Sequence, residues 1–155
     1  MSQPPSDLSL LDLINGFYQQ KINLADFEAG LKFHIQRCEK QQALLSQSKI
    51  LPADQAQWEK TIKPGLDVCY EGLIGAAHEA LEYAKSRNQE LLPGILGLLQ
   101  EVQGIIRFVE AKLGLVSAET RAAVQANLNP EGDGYSIKKA SQGTAESQVA
   151  FLEDA

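Results

Sequence analysis

The chain has 155 residues, of which 44% are hydrophobic and 22% are charged, a composition typical of a soluble globular domain with or without a tail. Its net charge of −6 argues against a general attraction to nucleic acid or anionic membranes, and its two cysteines are too few for a disulfide framework. No apolar run approaches the ~20 residues that span a bilayer, and the N-terminus lacks the basic and apolar regions of a secretory signal. We therefore expect a cytoplasmic protein that binds neither nucleic acid nor membrane.

Two helices are predicted in the first third of the chain. Ser6 or Asp7 can cap the first helix, whose apolar residues recur at helical spacing until residues 15–16 weaken the pattern. Asn23 is suited to cap a second, long helix, which should run to about Gln47. The apolar stripe of this second helix comprises Leu24, Phe27, Leu31, His34, Cys38 and Leu45.

A third helix is predicted after the break at residues 51–54. Its core residues follow alternating spacings of four and three, a heptad-like seam. Pro64 interrupts this seam early, and because proline removes one helical hydrogen bond and clashes with the carbonyl of Lys60, we expect a kink or a short separate helix there. The seam consists of Trp58, Ile62, Leu66, Cys69, Leu73, Ala76, Ala80 and Tyr83.

A fourth helix is predicted, whose core residues alternate by three and four positions throughout. Gly114 stands where a C-terminal cap belongs. Residues 86–88 and Pro93 predict a tight antiparallel turn before this helix, with one continuous kinked helix as the alternative. The seam of this fourth helix consists of Leu92, Ile95, Leu99, Val102, Ile106, Val109 and Leu113.

A short helix and a tail are predicted to complete the chain. Ser117 can cap a helix that runs through about Leu128, and the sequence from Asn129 to Gly134 then breaks regular structure. Residues 129–155 are acidic and poor in apolar side chains, which predicts a flexible tail. The fold prediction is therefore an all-α antiparallel bundle in residues 1–128, with three long helices and short helices at both ends, followed by the flexible acidic tail.

One set of residues has the chemistry of a metal site. His34 and Cys38 are four residues apart on one helix face, a spacing that metal sites use, and Cys69 could meet them across the core. The competing interpretation is stronger, because both cysteines lie on apolar seams and buried free cysteine is common. No phosphate-binding glycine loop, nucleophile elbow or other recognisable catalytic pattern is present. We therefore predict a non-enzymatic protein without a cofactor.

The fourth helix carries a second pattern behind its core seam. Gly94, Gly97 and Gly104 project away from the core, although each costs roughly 0.5–1 kcal/mol relative to alanine in a helix interior. Small residues let helix backbones approach closely, so the added van der Waals contact can offset this cost. The predicted interaction surface comprises Leu91, Gly94, Gly97, Leu98, Gly104, Ile105 and Phe108.

Three interpretations of this surface stay open from the sequence. The first helix and the short trailing helix can cover it within one chain, a second copy or another protein can cover it, or it can form a ligand groove or a membrane surface. Of the functional interpretations, we favour a protein–protein interaction role, as an adaptor, a chaperone-like protein or a homodimeric scaffold. The alternative is a bundle that binds a small molecule or a metal ion through His34, Cys38 and Cys69.

Overall fold

A computed structural model describes residues 8–130 and 136–142, and within these ranges the protein is an all-α helical bundle without strands. The helices are α1 (Leu10–Tyr18), α2 (Leu24–Leu45), the single turn α3 (Gln55–Gln57), α4 (Lys63–Ser86), α5 (Leu92–Leu113), α6 (Ala118–Leu128) and α7 (Ile137–Ser141). Helix α4 lies in the middle of the fold and packs against both α2 and α5. The short helices α1, α6 and α7 pack around these three.

The N-terminal helices begin at side-chain caps. Asn23 caps α2 as predicted, because its Oδ1 accepts a hydrogen bond from the backbone N–H of Asp26 at 2.8 Å. In α1 the cap is Ser9, whose Oγ accepts from the N–H of Asp12 at 3.0 Å. The suggested caps Ser6 and Asp7 lie outside the described residues. The predicted weakening at residues 15–16 does not end α1, which continues to Tyr18.

The predicted interruption at Pro64 takes the form of a π-helical turn. Residues Trp58–Ile62 are π-helical and lead directly into α4, with Pro64 in the first turn of that helix. A π turn widens the helix where proline would clash with the carbonyl of Lys60 and where its missing N–H leaves one bond unmade. The helix therefore continues through Pro64 with a local change from α-helical to π-helical hydrogen bonding. Both Trp58 and Ile62 stay buried.

A hairpin joins α4 to α5. Arg87 ends α4 in the left-handed conformation (φ 58°), its N–H bonds to the carbonyl of Tyr83, and a 3-10 turn at Gln89–Leu91 leads into α5. Two close approaches fix the relative direction of the helices. A Cβ added at Gly65 would lie 2.5 Å from Cγ2 of Val109, and one added at Gly72 would lie 2.7 Å from Cγ2 of Val102. Since the later residue on α4 meets the earlier residue on α5, the two helices are antiparallel.

The N-terminus of α6 is bonded to Asp54, a residue distant in the sequence. Ser117 occupies the N-cap position as predicted, but its hydroxyl donates to the carboxylate of Asp54 instead of accepting from α6. Thr120 Oγ1 also donates to Asp54 Oδ2, at 2.6 Å, and the N–H of Ser117 points at the same carboxylate. These bonds lower the pKa of Asp54 below its ordinary value, although burial opposes the shift. The loop before α3 is thereby attached to the start of α6.

The C-terminal end of α5 is completed by an arginine from α6. Arg121 Nε donates to the carbonyl of Leu113 at 3.0 Å, and its Nη2 donates to the carbonyl of Val116 at 3.1 Å. Gly114 is the C-cap residue as expected, yet its φ of −66° is right-handed. A guanidinium therefore satisfies the carbonyls that a left-handed glycine motif would otherwise bond.

Part of the segment assigned to the tail belongs to the bundle. Helix α7 packs against α1, α4 and α5, with Ile137, Ala140 and Ser141 buried. Gln103 Nε2 of α5 donates to the carbonyl of Ser141 at 2.7 Å. The other residues of the predicted tail, 131–135 and 143–155, lie outside the described ranges.

Candidate functional site

The candidate site is the face of α5 beside its core seam, bordered by α4 at Ile105. We call it the α5 outer face, and it comprises Leu91, Gly94, Gly97, Leu98, Glu101, Gly104, Ile105 and Phe108. Three of its residues, Gly94, Gly97 and Gly104, are exposed. A Cβ built on any of these three glycines would meet nothing within 4 Å among the described residues. The glycines that the sequence identified as a second contact side of this helix therefore contact no described part of the chain.

Bulky apolar side chains accompany the glycines. Phe108 is 52% exposed, and the ammonium of Lys112 lies 5.4 Å from the centre of its ring. Leu91, Leu98 and Ile105 are half-buried where the outer face meets the hydrophobic core. The structure thus places the seven predicted surface residues along one side of one helix, with exposed backbone at the glycines and a half-exposed aromatic side chain at Phe108.

The close helix approach within the bundle depends on other glycines. Gly65 and Gly72, seven residues apart on α4, leave room for Val109 and Val102 of α5. Alanine at either position would place a methyl group inside the contact distance of a buried valine. The seven-residue spacing of Gly65 and Gly72 is the signal in the sequence for this contact. The α5 glycines play no comparable part inside the described chain.

One exposed residue of α4 extends the apolar area. Val68 is 46% exposed and precedes Gly72 by one helical turn, so both lie on the same stripe of α4. The sequence analysis missed Val68 because it lies off the predicted seam; an apolar residue between Asp67 and Cys69 was the available signal. Val68 therefore adds an exposed apolar side chain on α4 to Phe108 on α5, near the level of Gly65 and Ile105.

The charges on α5 balance one another. Glu101 and Glu110 are matched by Arg107 and Lys112, and all four side chains reach at least partial exposure. Glu101 is the charged residue near the centre of the outer face, since it lies four residues after Gly97 and three residues before Gly104, about one turn from each. A partner for this face therefore needs apolar surface more than net charge.

The proposed metal ligands lie in the core. The Nε2–H of His34 donates to the carbonyl of Leu8 at 2.7 Å, and burial, together with the nearby Arg37, lowers the pKa of His34 to about 4. Cys38 and Cys69 are both fully buried, and burial raises the pKa of the Cys69 thiol to about 12. In residues 8–130 and 136–142 no group of three or more His, Cys, Asp or Glu side chains could hold a metal ion.

A buried polar pair lies between α2 and α4. The hydroxyl of Tyr70 donates to Oε1 of Gln41 at 2.9 Å, and neither side chain is exposed. The Nε2 of Gln41 finds no hydrogen-bond partner among the described residues. Cys38 and Cys69 lie close enough to Tyr70 to raise the pKa of its hydroxyl further, beyond the larger effect of burial. Both thiols are buried, and the Sγ of Cys69 donates to the carbonyl of Val102 at 3.8 Å.

A cavity of about 380 Å³ opens between α4, α5, α6 and α7. Its walls are mostly apolar, and Oδ1 of Asn129, which contributes to the lining, is buried without a hydrogen-bond partner among the described residues. This volume falls within the range of small-molecule sites. None of His34, Cys38 and Cys69 lines the cavity, so it is separate from the interior site that the sequence suggested.

Helix α5 and the 3-10 turn before it also have the length and composition of a membrane-spanning segment. In the described part of the chain, Gln89–Leu113 is the one stretch that meets this criterion, and 39% of its most apolar window is buried in the bundle. The core helix of a soluble protein passes the same test, so the criterion by itself assigns no membrane role.

The chain was compared with protein-family models, curated proteins and solved structures. No protein-family model, no curated protein and no solved structure matches the chain.

Proposed function

We propose that the protein is a non-enzymatic interaction protein, an adaptor, chaperone-like protein or homodimeric scaffold, whose α5 outer face docks against a protein surface. One observation carries this proposal. Gly94, Gly97 and Gly104 are exposed and contact nothing among the described residues, so their cost to helix stability, roughly 0.5–1 kcal/mol each, finds no compensation there. Contact with a partner supplies such compensation.

The shape of the face suits a helix or another smooth surface. Glycines create shallow grooves along one side of α5, and a partner helix in those grooves gains van der Waals contact along its whole length. Phe108 supplies the kind of large, half-exposed aromatic anchor that dominates binding free energy at interfaces. The neutral charge of α5 removes the need for a strongly charged partner.

The titratable groups of the core support a non-enzymatic role. A thiol with a raised pKa, as in Cys69, is a poor nucleophile at neutral pH, and the imidazole of His34 is committed to a structural hydrogen bond. These observations concern the candidates that the sequence singled out.

The test is a capture experiment from a lysate of the source cells with purified full-length protein as bait. Wild type is compared with Gly97→Leu plus Gly104→Leu, which fills the grooves, and with Gly75→Leu on α4, where an added Cβ likewise meets nothing within 4 Å. We expect a partner, including a second copy of the chain, that binds wild type and Gly75→Leu but not the double variant. Equal capture by all three baits contradicts the proposal, provided that circular dichroism shows all three to be folded.

A further inference from the structure

We propose, resting on the proposed function, that the partner of the α5 outer face is a second copy of this chain, packed antiparallel about a two-fold axis at Glu101. In such a pair, residues at equal or nearly equal distances on opposite sides of Glu101 meet across the interface. The order of side chains along α5 fits this symmetry, because the outward residues on both sides of Glu101 then face residues that complement them.

Shape is complementary about this centre. Phe108, 52% exposed, faces the partner's Gly94, where a Cβ would meet nothing within 4 Å. Gly97 faces the partner's Gly104, and two glycines at one level let the helix backbones approach closely. Along the flank towards α4, the half-buried Leu98 faces the partner's Ile105, so apolar surface covers apolar surface.

Charge is complementary at both ends of the same pairing. Glu90, exposed in the 3-10 turn before α5, lies at the level of the partner's Lys112, and the two-fold axis repeats this ion pair at the other end. A shift of one helical turn separates these charges by about 5 Å at each end, so the ion pairs select this register over neighbouring ones. The one unfavourable feature lies on the axis, where Glu101 meets the partner's Glu101.

The second copy is favoured over an unrelated partner by this self-complementarity. A face that serves an unrelated protein has no reason to place glycine opposite a large aromatic residue about its own centre, or to end in opposite charges. The outer face extends from Leu91 to Phe108, which are 17 residues or about 26 Å apart, long enough for an extended helix pair.

The decisive experiment exploits the distance between Glu90 and Lys112 within one chain. They lie at opposite ends of α5, about 33 Å apart, so any energetic coupling between them passes through a second copy. The dimer dissociation constant is measured by light scattering and sedimentation over a wide concentration range for wild type, Glu90→Lys, Lys112→Glu and the double variant. We expect each single charge reversal to weaken the dimer about tenfold and the double reversal to recover most of that loss.

Two further variants sharpen the result. Glu101→Gln removes the like charges at the axis and is expected to tighten the dimer about threefold or more, whereas Glu82→Gln, an exposed glutamate on α4, is expected to leave it unchanged. A single-chain mass at every concentration overturns the proposal, as does a double charge reversal that shows no recovery. If wild type is monomeric while Gly97→Leu plus Gly104→Leu abolishes capture of another protein, the dimer is excluded and the proposed interaction function stands.

Discussion

Thr120 Oγ1 donates a hydrogen bond to Asp54 Oδ2 at 2.6 Å, although 66 residues separate them in the chain. Thr120 is fully buried, and Ser117 shares the same carboxylate. This contact makes the start of α6 depend on the loop that precedes α3. Helix α6 is therefore integrated into the bundle by a side chain from outside its own sequence.

Thr120→Val is expected to lower the free energy of unfolding by about 1–2 kcal/mol, because it removes one hydrogen bond and leaves an acceptor of Asp54 less satisfied in the interior. Urea unfolding followed by circular dichroism measures the change. Thr120→Ser keeps the hydroxyl and should retain the larger part of the stability. Equal midpoints for wild type and Thr120→Val would show that the bond contributes nothing.

The stability of the protein should fall as the pH is lowered from about 6.5 to about 4, partly because of His34. Its pKa is about 4 in the folded protein, below the ordinary 6.5 of an unfolded chain, so between these pH values the unfolded chain binds a proton that the folded one does not. A shift of this size amounts to about 3 kcal/mol, lost progressively on acidification and regained as the pH rises. His34→Gln should flatten the pH dependence of the unfolding free energy in this window. An unchanged slope would assign the acid sensitivity to other groups.

Gln20→Gly is expected to stabilise the protein by about 0.5–1 kcal/mol. Gln20 has a φ of 64° in the turn after α1, a left-handed conformation that glycine adopts without steric cost. The neighbouring Gln19, with a φ of −82°, provides the matched control, since Gln19→Gly only adds freedom to the unfolded chain and should destabilise. Thermal unfolding of both variants distinguishes the two effects by their opposite signs.

Alanine substitution should separate the two kinds of glycine on the paired helices. The methyl group of Gly97→Ala would meet no neighbouring element within 4 Å in the described part of the chain, so the variant should raise the stability of the monomer by about 0.5–1 kcal/mol through helix propensity. Gly72→Ala places its Cβ 2.7 Å from Cγ2 of the buried Val102 and should destabilise by about 1 kcal/mol. Chemical unfolding at low protein concentration, where a dimer dissociates, measures both. The same sign for the two variants would contradict the assigned packing.

Much of the fold followed from sequence periodicity, whereas the tertiary contacts at the helix ends did not. The seam from Trp58 to Tyr83 and the cap at Asn23 are local patterns, and the structure confirms them. The cap by Asp54 and the carbonyl contacts of Arg121 join residues that only the folded chain brings together. Local sequence carries no signal for such contacts, because any polar residue of the right type is an equal candidate.

For the candidate site, too, the sequence predicted the local pattern but not the tertiary contacts. Spacing alone shows that Gly97 and Gly104 lie behind the core seam of α5. It does not show which glycines serve a neighbouring helix, because that depends on where α4 lies around α5. The structure assigns this packing to Gly65 and Gly72, whereas a Cβ at Gly94, Gly97 or Gly104 would meet no neighbouring element within 4 Å among the described residues.

The π-helical turn at Trp58–Ile62 also sets the orientation, around the helix axis, of the segment Pro52–Gln57 that precedes it. If this turn adopted ordinary α-helical geometry with all its residues retained, the preceding segment would rotate by about 100° around the helix axis. Asp54, which lies four residues before Trp58, would then move away from Ser117 and Thr120. The number of residues per turn at Trp58–Ile62 therefore determines whether Asp54 can bond to the start of α6.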